Sequence, residues 1–498
     1  MAVFSPRPVA AREQRRSLVD IELDPVQRGA AERPAGGAML VLGEAGHGKT
    51  AVALARLSHL YRHASGRFRA VVIVPHAGLE RLLQPLLTRL GADVEVQCYE
   101  RWARQQARAA FSDIPRRESV GAALQVARIK RARDLQAQLN ELAKLPPGLI
   151  DDDADAPPVR TRAHAQRGDL QHLFGDSERM RRLASSSGLS ASAVAAVLEH
   201  THVQFLERSE TVYAHVDAER LVPLDHDSLD AGTPAEDAAS IDVEDYAVLF
   251  ELDRLRARQL GLRPTRPRPF DCIVLDEAQE FSVLELALIG RSLTRHGSLV
   301  VAGDADQQTD DSVAFRDWGS TMHALRAANY ESVTLQIGYR CPSHITAFAR
   351  ALRGTALPPA RVPNLGFATE QALCSWLVDE ANQLEEQDAT ASFAVVTRTR
   401  EFARRIAAAL RGKVACKLVL DGEFVFHRGL DITNVDSVKG LEFDYVVVAD
   451  ATADAYPATR QARRALYVAA TRARHELALA CVGTPSPLCA HFLAASGR

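Results

Sequence analysis

No CxxC pair occurs among the seven cysteines of this 498-residue chain. Their scatter argues against a zinc site or a disulfide framework and for a reducing compartment. The N-terminal stretch MAVFSPRPVAAREQRRSLVD has no apolar core of the kind a signal peptide needs. No run approaches the roughly 20 apolar residues that cross a bilayer, so a cytoplasmic protein without a membrane partner is expected. An excess of positive charge is also missing. The net charge is −3, so a nucleic-acid-binding surface would have to be local. What is present is ordinary soluble material: 47% hydrophobic and 25% charged residues, enough for sizeable cores. At about 100–200 residues each, two to four domains are expected.

Short apolar strands alternate with amphipathic helices in two regions, the mark of parallel sheets. In the first, Met39–Leu42 precedes a helix over Thr50–Tyr61, and Ala70–Val74 precedes one over Gly78–Leu90; the rhythm returns at Cys272–Leu275 and Ser298–Ala302. In the second it runs from Ala394 to the strand Tyr445–Ala449. Between them the pattern turns helical. The predicted division is 1–104 and 270–335 for the first α/β domain, 105–269 for a helical insert within it, and 336–498 for the second. In the insert, Glu118–Leu145 reads as one basic amphipathic helix carrying Arg128, Lys130, Arg131 and Arg133. It is open to three readings: a solvated face, a nucleic-acid contact or a protein contact. The acidic stretch Asp217–Asp245 reads as a disordered surface loop, with a lid over a basic channel as the alternative. His200 and His202 read as surface residues.

GEAGHGKT, Gly43 to Thr50, fits G-x-x-x-x-G-K-[ST] with a strand before it and a helix after it. Gly43, Gly46 and Gly48 let the loop, with Glu44, Ala45 and His47, turn its N–H groups toward phosphate oxygens at a helix N-terminus. Lys49 brings a positive charge to the β- and γ-phosphates, and Thr50 a hydroxyl to Mg²⁺. CIVLDEAQEF places Asp276 at a strand tip to hold Mg²⁺ through water, with Glu277 next to it to orient and deprotonate an attacking water. VVAGDADQQ ends a further strand, where Gln307 is placed to sense the γ-phosphate. In DSVKGLEFDYVVVAD a polar turn around Glu442 enters a strongly apolar strand, a combination that usually serves a ligand. IGYRCP and LYVAATRARHEL present Arg340, Arg472 and Arg474.

In this order the series GEAGHGKT, DEAQEF, GDADQQ, GYR, VKGLEFD and YVAATRA resembles the motifs of superfamily 1 helicases of the UvrD/Rep type. The resemblance implies an α/β fold of two RecA-like (P-loop NTPase) parallel-sheet domains sharing one ATP and its Mg²⁺ at their interface. It implies that Arg340 and Arg472 reach the γ-phosphate from the second domain, and that Gly440 and Glu442 form the turn at the nucleotide sugar. It implies too that Gln27 reads adenine. The implied activity is ATP hydrolysis driving 3′-to-5′ travel on single-stranded or partly duplex DNA.

The sequence departs from that pattern in three places. Asp436 stands where a histidine is usual, three residues before the lysine of KGLE. Only residues 341–435 lie between GYR and that turn, too few for the large accessory domain of UvrD and Rep. The aromatic expected soon after GDxDQ is missing, though Phe315 and Trp318 follow slightly later, either to stack on a base or to pack in a core. The segments around the motifs resemble the HelD branch, whose members act on RNA polymerase, but the twenty residues before Ile21 leave no room for that branch's coiled-coil arm. Three functions are therefore weighed: a helicase or translocase, a remodeller with RNA polymerase as partner, and an ATP-binding switch. Glu277 and Arg472 weigh against the switch. The oligomeric state is not legible.

Overall fold

The computed structural model describes residues 3–4, 23–111, 114–115, 117–119, 122–145, 162–206, 238–338, 341–354, 362–388, 390–420, 422, 424 and 429–489. The first α/β region opens with β1 (Gly37–Leu42), β2 (Ala70–Val74) and β3 (Glu95–Cys98). Next come the helices of the insert and a two-residue bridge between β4 (Arg117–Glu118) and β5 (Ser240–Ile241). The chain then returns through β6 (Phe270–Leu275), β7 (Leu293–Gly303) and β8 (Tyr330–Thr334). These six strands form one sheet in the order β3-β2-β6-β7-β1-β8, every pair parallel.

The second region repeats the plan with β9 (Asn364–Phe367), β10 (Ser392–Thr397), β11 (Cys416–Val419), β12 (Gly429–Asn434), β13 (Phe443–Val448) and β14 (Ala473–Val482). Its order is β11-β12-β10-β13-β14-β9, again parallel throughout. The fold is thus α/β with two six-stranded parallel sheets, consistent with RecA-like domains. Runs such as MLV in β1 and FDYVVV in β13 are buried because helices cover both faces of each sheet. No helix among the described residues is long and apolar enough to cross a membrane.

Register positions the site. Leu42 pairs with Gly303 across β1 and β7, and Leu275 with Val301 across β6 and β7. The residues that follow each strand, Gly43, Asp276 and Asp304, therefore emerge at one edge. This is the carboxyl end of the strands, where open α/β sheets bind ligands.

The insert corrects three expectations. Glu118–Leu145 is not one helix: Leu124–Lys130 and Leu135–Leu142 are separate, with a turn between them. The chain bends there because its two central cations turn inward to different partners. Lys130, fully buried, donates to Asp242 at 2.5 Å, to Asp245 at 2.8 Å and to Gln204 at 3.1 Å. Arg131 reaches Asp310, Ser312 and Glu285 of the first domain, and Arg128 donates to the Asp311 carbonyl at 3.0 Å. Arg128 and Arg131 thus anchor the insert to the first domain, and Lys130 ties the insert together from within. His200, expected on the surface, lies against Asp242 with Nε2 2.8 Å from the carboxylate, and only His202 is exposed. The acidic stretch ends in buried structure at Asp242 and Asp245, which form a capping box on the helix Val243–Gln259; most of the remainder lies outside the described residues.

One contact joins distant parts of the chain. Phe4 is buried on the second sheet against Phe393 and Tyr445, ring centroids 5.7 and 5.2 Å away. The N–H groups of Val3 and Phe4 both donate to Glu380, at 2.9 and 2.7 Å.

Candidate functional site

The glycine-rich loop follows β1 and opens the helix Lys49–His63. Gly46 and Gly48 take φ of 80° and 84°, the left-handed region that glycine enters without cost. The side chain of Gln27 wedges beneath the loop; a Cβ on Gly48 would lie 2.7 Å from its Nε2. Gln27 Nε2 donates to the His47 carbonyl at 3.0 Å, and its Oε1 accepts from Asp24 N at 3.1 Å as half of a capping box. Gln27 thus props the loop from below. The His47 ring is buried as well, with Nδ1 2.8 Å from the Leu335 carbonyl. This side chain, to which the motif gives no part, ties the loop to the segment after β8.

Lys49 lies over the loop, donating to the carbonyls of Gly43 at 2.9 Å and Glu44 at 3.0 Å, with Asp304 Oδ2 3.9 Å away. Thr50 Oγ1 donates to Asp276 Oδ2 at 2.8 Å. Burial, then the adjacent Glu277 carboxylate, push the Asp276 pKa up to about 7. A buried carboxylate beside a hydroxyl is a hard oxygen pair, and it fits a small divalent cation that keeps waters and phosphate oxygens as its other ligands. Glu277 sits at φ 52°, an uncommon conformation for a side chain of this size, and accepts from Gln279 Nε2 at 2.6 Å.

The second domain closes over this edge. Arg472, fully buried, donates from Nη2 to Gln307 Oε1 at 2.7 Å, and Gln307 Nε2 in turn donates to Asp304 Oδ2 at 2.9 Å. A continuous chain therefore runs from Arg472 through Gln307 and Asp304 to Lys49. Arg353 pairs with Glu44 and with Asp306, each at 2.7 Å, and Arg350 lies 3.3 Å from Glu44. The Lys439 ammonium is 3.2 Å from Glu280 Oε2. Glu442 pairs with Arg474 at 3.4 Å, and the carbonyl before it, from Leu441, accepts from Arg472 Nη1 at 3.4 Å. Gly440, at φ 71°, brings the turn close to Leu79 of the first domain; a Cβ there would lie 2.3 Å from Leu79 Cδ2. Arg340 lies outside the described residues.

Sequence reasoning gave no part to Tyr467, whose hydroxyl reaches Ala45 N at 3.3 Å, or to Arg353. It also passed over His76, which follows β2. His76 Nδ1 caps the helix Ala77–Arg89, and Nε2 donates to the Lys439 carbonyl at 3.2 Å, so the neutral ring bridges the two domains. Burial and then the Lys439 cation push its pKa down to about 4. Because the folded value lies below the unfolded value of about 6.5, this contact stabilises fully above pH 6.5 and is lost as pH falls toward 4. Denaturant melts at pH 7.5 and pH 5 should show that loss, and His76→Gln should shrink the difference between the two.

Trp318 packs over Gly303, at which a Cβ would lie 2.3 Å from the indole, and edge-on to Phe315 with centroids 4.9 Å apart. Both aromatics are half-buried, so packing accounts for part of each ring and neither is fully enclosed. Near His76, a cavity of about 440 Å³ opens between the insert and both α/β domains. Its charged lining comprises the carboxylates Glu100, Glu244, Glu280, Glu285, Asp310 and Asp436 against the cations Arg131, Arg400 and Lys439.

Residues 429–480 match the family model of the UvrD-like helicase C-terminal domain. The match begins at β12 and runs through the KGLE turn and Arg472 into β14, so this part of the second domain is similar to the UvrD-like helicase C-terminal domain. The crystal structure of the C-terminal domain of a possible DNA helicase from Lactobacillus plantarum WCFS1 is similar at 24% identity, over 32% of this chain and 96% of that one, with a TM-score of 0.28. No curated protein matches the chain.

Proposed function

We propose that the chain is an ATP-dependent DNA helicase or single-stranded DNA translocase whose two α/β domains hydrolyse one ATP between them, with 3′-to-5′ travel. The observation that carries this reading is the hydrogen-bonded chain from Arg472 through Gln307 to Asp304, which ends beside Lys49. Cations from two domains converge there on one phosphate-binding loop. In this reading Lys49 and the loop amides hold the phosphates, and Arg472 and Arg340 oppose charge that develops on the terminal phosphate. Gln307 links that phosphate to domain closure, Glu277 orients and deprotonates the attacking water, and Gly440 and Glu442 support the sugar side. Thr50 and Asp276 would hold Mg²⁺, which would supply charge neutralisation to the phosphates. Gln27 would read adenine with the amide hydrogen left after its bond to His47.

The acidic cavity favours a second reading, an ATP-driven remodeller that acts on a protein such as RNA polymerase. Six carboxylates against three cations face the space between the domains, and a phosphodiester backbone would meet net repulsion there. ATP turnover measured side by side with single-stranded DNA, RNA and purified polymerase separates the two. Several-fold stimulation by DNA alone supports the translocase; stimulation by polymerase with none by DNA supports the remodeller. A turnover rate indifferent to all three would count against both.

A further inference from the structure

Tyr467 belongs to the second domain, on the helix Arg460–Ala470, yet its hydroxyl lies on the first half of the phosphate loop. It accepts from the Ala45 N–H at 3.3 Å and donates to Asp304 Oδ2 at 3.4 Å. The side chain is buried. Burial and then the Asp304 carboxylate hold the phenol pKa well above its ordinary value, so the hydroxyl keeps the proton that this pairing requires.

The Ala45 amide is one of the loop N–H groups that phosphate oxygens seek. It faces the side of the loop where Asp304, Gln307 and Arg472 gather. We infer that Tyr467 is a positioning residue whose hydroxyl competes with a terminal phosphate oxygen for the Ala45 amide. Once displaced from the amide, the hydroxyl retains Asp304 as its partner. Asp304 in turn accepts from Gln307, which accepts from Arg472. Arrival of the third phosphate is thereby passed to the second domain through side chains already in contact. The adjacent Glu44, held by Arg350 and Arg353, keeps the loop and the second domain together during the exchange.

The inference rests on the phosphate-loop reading above, and the test separates the two. Dissociation constants for ADP and for a non-hydrolysable ATP analogue, both with Mg²⁺, would be measured on the full chain, on Tyr467→Phe and on Lys49→Ala. Phenylalanine keeps the ring and removes only the competing oxygen. One net hydrogen bond corresponds to a roughly three- to ten-fold change in affinity. Tyr467→Phe should therefore bind the triphosphate analogue about three- to ten-fold more tightly, with ADP affinity unchanged. Unchanged or weaker analogue binding, or an equal shift for both nucleotides, overturns the inference. If the unaltered chain binds neither nucleotide, or Lys49→Ala binds both as it does, the phosphate-loop reading itself fails.

Discussion

Lys49→Ala should lower ATP turnover by at least about 10³-fold while leaving the fold intact. The side chain is 7% exposed, and its ammonium bonds to the Gly43 and Glu44 carbonyls within reach of Asp304. Donors placed where charge develops in a water-poor site are each worth about 10²–10³ in rate, and this one is a full charge, not a dipole. Structure should survive because Asp304 keeps Gln307 and Tyr467 as hydrogen-bond donors. The measurement is steady-state turnover alongside a thermal melt. A variant that melts like the parent and still turns over within ten-fold of it would remove the loop from the chemistry.

The second large effect is expected at Arg472. Arg472→Lys should cut the turnover number by about 10³-fold, the lower end of the range for arginines supplied across an interface, with little change in KM for ATP. The guanidinium has its Nε on the Val468 carbonyl at 2.9 Å and its two terminal nitrogens on Leu441, Thr471 and Gln307. Lysine cannot satisfy that fork, since a single ammonium cannot hold the turn and reach Gln307 together. Some loss of stability accompanies the substitution because the site is fully buried. The diagnostic is therefore the split between turnover number and KM in protein shown to be folded. Equal loss in both would assign Arg472 to architecture alone.

The sheets were legible for a physical reason. A strand buried on both faces is apolar at most positions, and such runs stand out in β1, β6, β10 and β13 whatever surrounds them. The glycine-rich loop was legible because strand, glycines, lysine and helix all lie within a dozen residues. The pairings that close the domains carry no such local mark. Tyr467 and Ala45 are 422 residues apart, Lys439 and Glu280 are 159 apart, and His76 and Lys439 are 363 apart. The basic cluster misled for the same reason. Arginines and lysines at helical spacing look alike whether they face water or buried acid, and the acids that claim Lys130 lie 112 and 115 residues downstream.

The seat of Phe4 on the second sheet bears on how the two lobes are tethered. Residues 3–4 rest on one lobe while residues 24–63 belong to the other. After a protease nick between the two lobes, residues 3–4 would hold the two fragments together only through their noncovalent seat at Glu380, Phe393 and Tyr445. A dye attached at Val3 would likewise report the motions of the lobe that is more distant from it in the sequence.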